Sequence, residues 1–162
     1  MTNTEKHPNS TPTAPRKRLL PPVYFLAAVV VMVLLHLLIP VMHIIPGPWS
    51  LTGIALIILG IIPPLTGAVS FKNYGTTIKP FEISSALVTT GMHRYSRNPM
   101  YLGMVIILTD LAIALGTITP WIVIPLFVVV LTRRIIVIEE HMLSQRFGQA
   151  YTDYCKRVRR WV

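Results

Sequence analysis

Tyr101–Glu140 reads YLGMVIILTDLAIALGTITPWIVIPLFVVVLTRRIIVIEE. Two apolar arms flank a turn bracketed by Gly116 and Pro120. A connection that short joins helices only as an antiparallel hairpin. The first arm predicts a membrane span from Tyr101 to about Thr119. The second begins at Trp121, is apolar to Leu131, meets Thr132-Arg133-Arg134, resumes as Ile135–Ile138 and ends at Glu139-Glu140. About 20 apolar residues cross the roughly 30 Å of hydrocarbon in a bilayer.

Working outward, two more apolar runs precede the hairpin, Val23–Ile45 and Trp49–Val69. Pro63-Pro64 predicts a kink in the second, which a membrane helix tolerates when neighbours satisfy the freed carbonyls. Gly53, Gly60 and Gly67 recur every seven residues on one helical stripe, the pattern that lets another helix approach closely. Residues 1–18 are polar and end in Arg16-Lys17-Arg18, so a disordered tail is expected there. The apolar run after it is too long for a signal-peptide core and no small-residue cleavage site closes it, so it reads as a retained anchor.

Composition agrees. Of 162 residues, 52% are hydrophobic and 13% charged, with a mean hydropathy of +0.59. Soluble domains carry roughly a quarter charged residues. The net charge of +9 would suggest nucleic acid if it were spread over a soluble surface. Instead the basic residues fall in blocks between apolar runs, which makes membrane lipids the expected anionic neighbours and nucleic acid not a partner. The single cysteine, Cys155, builds no intrachain disulfide, and the histidines show no metal-ligand spacing, so no metal site is expected.

The expected architecture is all-α: a polytopic integral membrane helical bundle of about four spans, with a C-terminal hairpin and an interfacial C-terminal amphipathic helix. Tyr151, Tyr154, Val158 and Trp161 supply that last helix with an apolar face suited to headgroups. The turns near 46–48 and 116–120 hold no Lys or Arg, whereas all fifteen lie in the N-terminal tail, the 70–100 loop or the C-terminal part of the chain from Arg133 onward. Positive-inside logic then puts both termini in the cytoplasm, in a bacterial inner membrane, with residues 19–162 as one domain.

Charges at membrane depth point to a site. Counting outward at 1.5 Å per residue from a turn near 118–120 puts Tyr101 opposite 135–139 and Asp110 opposite 126–130. The polar loop before Tyr101 therefore meets Glu139 and Glu140 at the cytoplasmic mouth. Asp110 comes within about a turn of Arg133, so an ion pair with Arg133 or Arg134 is expected, since either charge alone is costly at that depth.

The run Thr89-Thr90-Gly91-Met92-His93-Arg94-Tyr95-Ser96-Arg97-Asn98-Pro99-Met100-Tyr101-Leu102-Gly103 resembles the signature of the isoprenylcysteine carboxyl methyltransferase and phospholipid methyltransferase superfamily. So does Glu139-Glu140-x-x-Leu143-x-x-x-Phe147-Gly148-x-x-Tyr151-x-x-Tyr154, and the likeness covers about residues 70–162. The resemblance implies a membrane-embedded methyltransferase that binds S-adenosylmethionine from the cytosol, enclosed by the hairpin and C-terminal segment. The resemblance further implies a lipophilic or small thiol, amine or carboxylate acceptor. By the same resemblance Arg94, Tyr95, Arg97, Asn98, Tyr101, Glu139 and Glu140 bind the cofactor, with Arg97 and Glu140 central to catalysis. The family motif commonly reads Arg-His-Pro-x-Tyr, and this chain has Asn98 at the His position. Asparagine hydrogen-bonds but cannot shuttle a proton near neutral pH. His93 and His141 are the candidates to replace that histidine. Two alternatives stand beside the enzyme: a non-catalytic protein with the same fold, and a small transporter gated by Asp110 and Arg133.

Overall fold

Helix α1 (Pro21–Leu38) begins where Pro21-Pro22 supplies a preset φ and no needed N–H, as suits a first helical turn. It ends seven residues before the apolar run does, because Ile39 precedes Pro40 and a residue before proline is pushed out of the α region. Ile39 indeed leaves the helix, with φ −136° and ψ 62°. The computed structural model describes residues 19–47, 49, 52–53, 60–62, 64–66, 69 and 86–162. The expected tail over 1–18, the Pro63 half of the kink, Gly67 and residues 70–85 of the polar loop lie outside the described residues.

Ala28 and Met32 of α1 are buried against the rest of the chain, while Val23, Leu26, Val30, Leu34 and Leu37 face outward. An outward apolar face of this kind suits lipid. Phe25 meets Phe127 edge to face, with ring centroids 6.4 Å apart.

The described residues between 47 and 69 are helical throughout. They lie along α2 (Pro99–Leu115), and the glycines show how closely. A Cβ on Gly53 would collide with the carbonyl oxygen of Asp110 and come within 2.6 Å of the Ala114 nitrogen. One on Gly60 would stand 2.7 Å from Ile107 Cγ1, and one on Gly103 would strike the Pro64 ring and stand 2.8 Å from the Gly60 carbonyl oxygen. Small residues thus bring two backbones together in an apolar setting where van der Waals contact drives association.

Helix α2 stops at Gly116, whose φ of 73° is the left-handed cap a glycine adopts at no steric cost. The chain then turns at once into a 29-residue helix, Thr119–Phe147. Its regular parts are α3 (Val123–Leu131) and α4 (Val137–Phe147), separated by a π-helical turn at Thr132–Ile136. At the turn end of the bundle, the Ile44 and Ile45 N–H groups donate to the Gly116 carbonyl at 2.9 and 3.2 Å, and the Ile118 N–H donates to the Met42 carbonyl at 3.0 Å. His36 Nδ1 lies 2.9 Å from the Thr117 hydroxyl, so side chains reinforce the backbone pairing.

Two expectations are corrected. Asp110 is buried, but Arg133 and Arg134 are exposed, and among the described residues no ion pair joins them. The π turn is the reason: one wider turn brings Ile135 and Ile136 inside together, both fully buried, and swings the two arginines outward. The second correction concerns α5 (Gln149–Arg157), which follows Gly148 (φ 50°). It is amphipathic, yet Tyr151, Tyr154 and Val158 are buried against Leu87, Leu143 and Phe147 of the same chain. Its apolar face is covered by protein rather than by headgroups.

Among the described residues the chain is helical, with no strand beyond an isolated His43–Thr117 bridge. Two helices, Pro21–Leu38 and Thr119–Phe147, are long and apolar enough to cross a membrane, and Pro99–Leu115 is a shorter apolar helix.

Candidate active site

Pro99 opens α2 directly after Asn98, so the residues just before the helix are held at its N-terminal end, opposite α4. Across that gap Tyr101, buried on the first turn of α2, donates its hydroxyl to Glu139 at 2.9 Å to Oε1 and 3.0 Å to Oε2. A phenol bridging both oxygens of a half-buried carboxylate fixes its plane and satisfies lone pairs that would otherwise be costly to bury.

The neighbouring carboxylate, Glu140, lies between two guanidinium groups. Arg97 Nη1 is 3.1 Å from its Oε1. Arg160 grips it with a fork, Nε to Oε1 at 2.9 Å and Nη2 to Oε2 at 2.6 Å. Planar forks of this sort are the stronger class of ion pair. Glu140 and Arg97 have side chains only 16% and 15% exposed, so solvent screens them little. The Glu140 hydrogen bonds hold the Arg160 guanidinium above its ordinary range.

Arg97 also donates through Nη1 to the Cys155 sulfur at 2.8 Å, while its Nε is buried and has no hydrogen-bond partner among the described residues. Two cations share one carboxylate here, leaving a net positive charge and an open donor. An anionic oxygen is the natural complement. Around this pair stand Tyr151 and Tyr154, ring centroids 6.2 Å apart. Burial pushes both phenols up, Tyr154 to about 12, so both stay neutral. The Tyr154 hydroxyl donates to the His93 carbonyl at 2.7 Å.

Of the seven cofactor residues expected from sequence, the structure brings five together: Arg97, Asn98, Tyr101, Glu139 and Glu140. Arg94 and Tyr95 are exposed on the preceding turn, Tyr95 at 70%, outside the hydrogen-bonded cluster. Asn98 faces the C-terminal residues, its Nδ2 donating to the Arg160 carbonyl at 3.0 Å. His93 is buried, which pushes its imidazole down to about 4. His141 is exposed and lies 3.0 Å from Gln145 instead. Arg160 and Cys155 were not foreseen as members. Nothing in the spacing of Arg160 from Glu140 signals the pair.

The described chain is thus helical, with membrane-length helices and a polar cluster at one end of the hairpin. The phospholipid methyltransferase family matches residues 49–150. The chain belongs to that family. An uncharacterised protein of Haemophilus influenzae is 35% identical over 63 residues, which make up 39% of this chain and all of that protein. No solved structure matches.

Proposed function

We propose that this protein is an integral membrane methyltransferase that uses S-adenosylmethionine at the cytoplasmic mouth of a four-span bundle and methylates a lipophilic or small acceptor. The observation that carries the reading is Arg97: half-buried, paired with Glu140, and holding an unsatisfied buried Nε. S-adenosylmethionine fits such a donor set, since its amino-acid end carries a carboxylate for Arg97 and an ammonium for a glutamate. Bound there, the cofactor supplies an electrophilic methyl group on a sulfonium. The protein's share is to orient and to exclude water. Arg97 holds the carboxylate end, Glu140 fixes Arg97, and Glu139, held by Tyr101, accepts from the ammonium or the ribose hydroxyls. Arg94 and Tyr95 are rim residues of the same loop.

The apolar outward faces of the bundle and the description of the matched family as phospholipid methyltransferases support a lipophilic acceptor over a small one. The transporter alternative needs Asp110 and Arg133 face to face, an arrangement the π turn prevents. Calorimetric titration of the purified protein with S-adenosylmethionine should give saturable binding. Incubation with labelled cofactor and membrane extract should move the label into an extractable acceptor. A protein that binds no S-adenosylmethionine would end this reading.

Four spans with both termini in the cytoplasm are part of the same proposal, supported by the placement of the fifteen basic residues. A reporter active only outside the membrane should give signal when fused after residue 47 or 118 and none at residue 162. Strong signal at residue 162 would invert the topology.

A further inference from the structure

Helix α5 ends at Arg157, and Val158 turns extended, with φ −125° and ψ 129°. The five residues from Val158 to Val162 then run as a strap across the N-terminal end of α2. The Arg97 N–H donates to the Arg159 carbonyl at 3.0 Å. The next carbonyl, that of Arg160, accepts from Asn98 Nδ2 at 3.0 Å and from the fully buried Ser96 hydroxyl at 3.4 Å. Beyond it Trp161 packs against the main apolar core. On the other side of the strap, the Arg160 side chain makes its fork with Glu140. One residue therefore joins the α2 start, through its backbone, to α4, through its side chain.

We infer that Arg160 is a positioning residue of the cofactor site, orienting Glu140 while Asn98 holds the strap in place. This inference rests on the proposed use of S-adenosylmethionine. It gives Asn98 a task different from that of a proton shuttle: the position needs a donor. A carbonyl only accepts, so the amide nitrogen must face it, and a histidine N–H meets the same requirement. Arg160 needs its planar fork, which lysine lacks.

The test uses the single cysteine, Cys155, which lies under this assembly and beside Arg97. The rate at which a water-soluble maleimide labels Cys155 in the purified protein reads the strap without any ligand. Asn98→Asp, the same shape with an acceptor in place of the donor, should raise that rate several-fold and weaken S-adenosylmethionine binding about tenfold or more. Arg160→Gln should do the same. Combining the two should cost less than the product of the single losses, because either one releases the same strap. Asn98→His, which keeps a donor, should come closer to wild type than Asn98→Asp in both readouts, and Arg160→Lys, the gentler change should Arg160→Gln fail to fold, should lie between Arg160→Gln and wild type. Faster labelling with unchanged cofactor affinity would overturn the inference, as would an Asn98→Asp variant indistinguishable from wild type. If wild-type protein itself binds no S-adenosylmethionine, it is the functional reading that has failed, and this inference falls with it.

Discussion

Glu140→Gln is expected to lower affinity for S-adenosylmethionine by about ten- to hundredfold. Glu140 holds Arg97 and Arg160 together within 3.1 and 2.6 Å, and a neutral amide leaves two guanidinium groups side by side with no anion between them. A charge-assisted hydrogen bond contributes on the order of 1.5–3 kcal/mol, at tenfold per 1.4 kcal/mol. Arg97→Gln should fall in the same range, since it removes the cation with the open Nε. Arg157→Gln and Arg159→Gln change exposed side chains, and Arg159 keeps the carbonyl that receives Arg97, so both should bind as wild type does. Isothermal titration of the four variants decides the matter. Equal affinity in all four would reduce the cluster to interface charges.

Gly103→Val should destroy most of the folded protein. The added Cβ alone would strike the Pro64 ring and stand 2.8 Å from the Gly60 carbonyl oxygen, and a backbone atom cannot rotate away. Overpacking a close-packed interior typically costs 1–3 kcal/mol, and a branched residue against backbone belongs at or above the top of that range. Gly103→Ala should be milder but still harmful. Gly47→Ala, with open space around its Cβ position, should be silent. Melting temperature and the monodisperse fraction in detergent report all three. A Gly103→Val protein as stable as wild type would mean the two backbones are farther apart than described.

What was legible in the sequence was whatever hydropathy and spacing encode. The apolar runs announced the helices, and Gly53 and Gly60 announced the face on which one helix meets another. Counting outward from the 116–120 turn brought Tyr101 to Glu139. The end of α1 was misjudged because Val41–Ile45 is as apolar as the helix before it, and hydropathy does not register the restriction Pro40 places on Ile39. Arg160 was missed for a similar reason. A period of three and four carried the last helix on to Trp161, whereas the chain leaves the helix at Val158. Past Val158 the helical period no longer applies: Arg159 is exposed while Arg160 turns to Glu140. The Asp110–Arg133 pairing failed because register counting assumes an unbroken α-helix.

That break also sets the timing between the membrane span and the site. Each residue in an α-helix advances about 100° around the axis and 1.5 Å along it. The α3 half of the Thr119–Phe147 rod and the half that carries Glu139 and Glu140 are therefore mounted at an angle fixed by the wider turn at Thr132–Ile136. Wound as a regular helix over the same residues, the rod would leave α3 seated in the bundle and carry Glu139 and Glu140 round by ~100°, away from Tyr101 and Arg97. The π turn works as a phase adjuster, letting one continuous rod satisfy two sets of neighbours whose azimuths a uniform helix cannot reconcile.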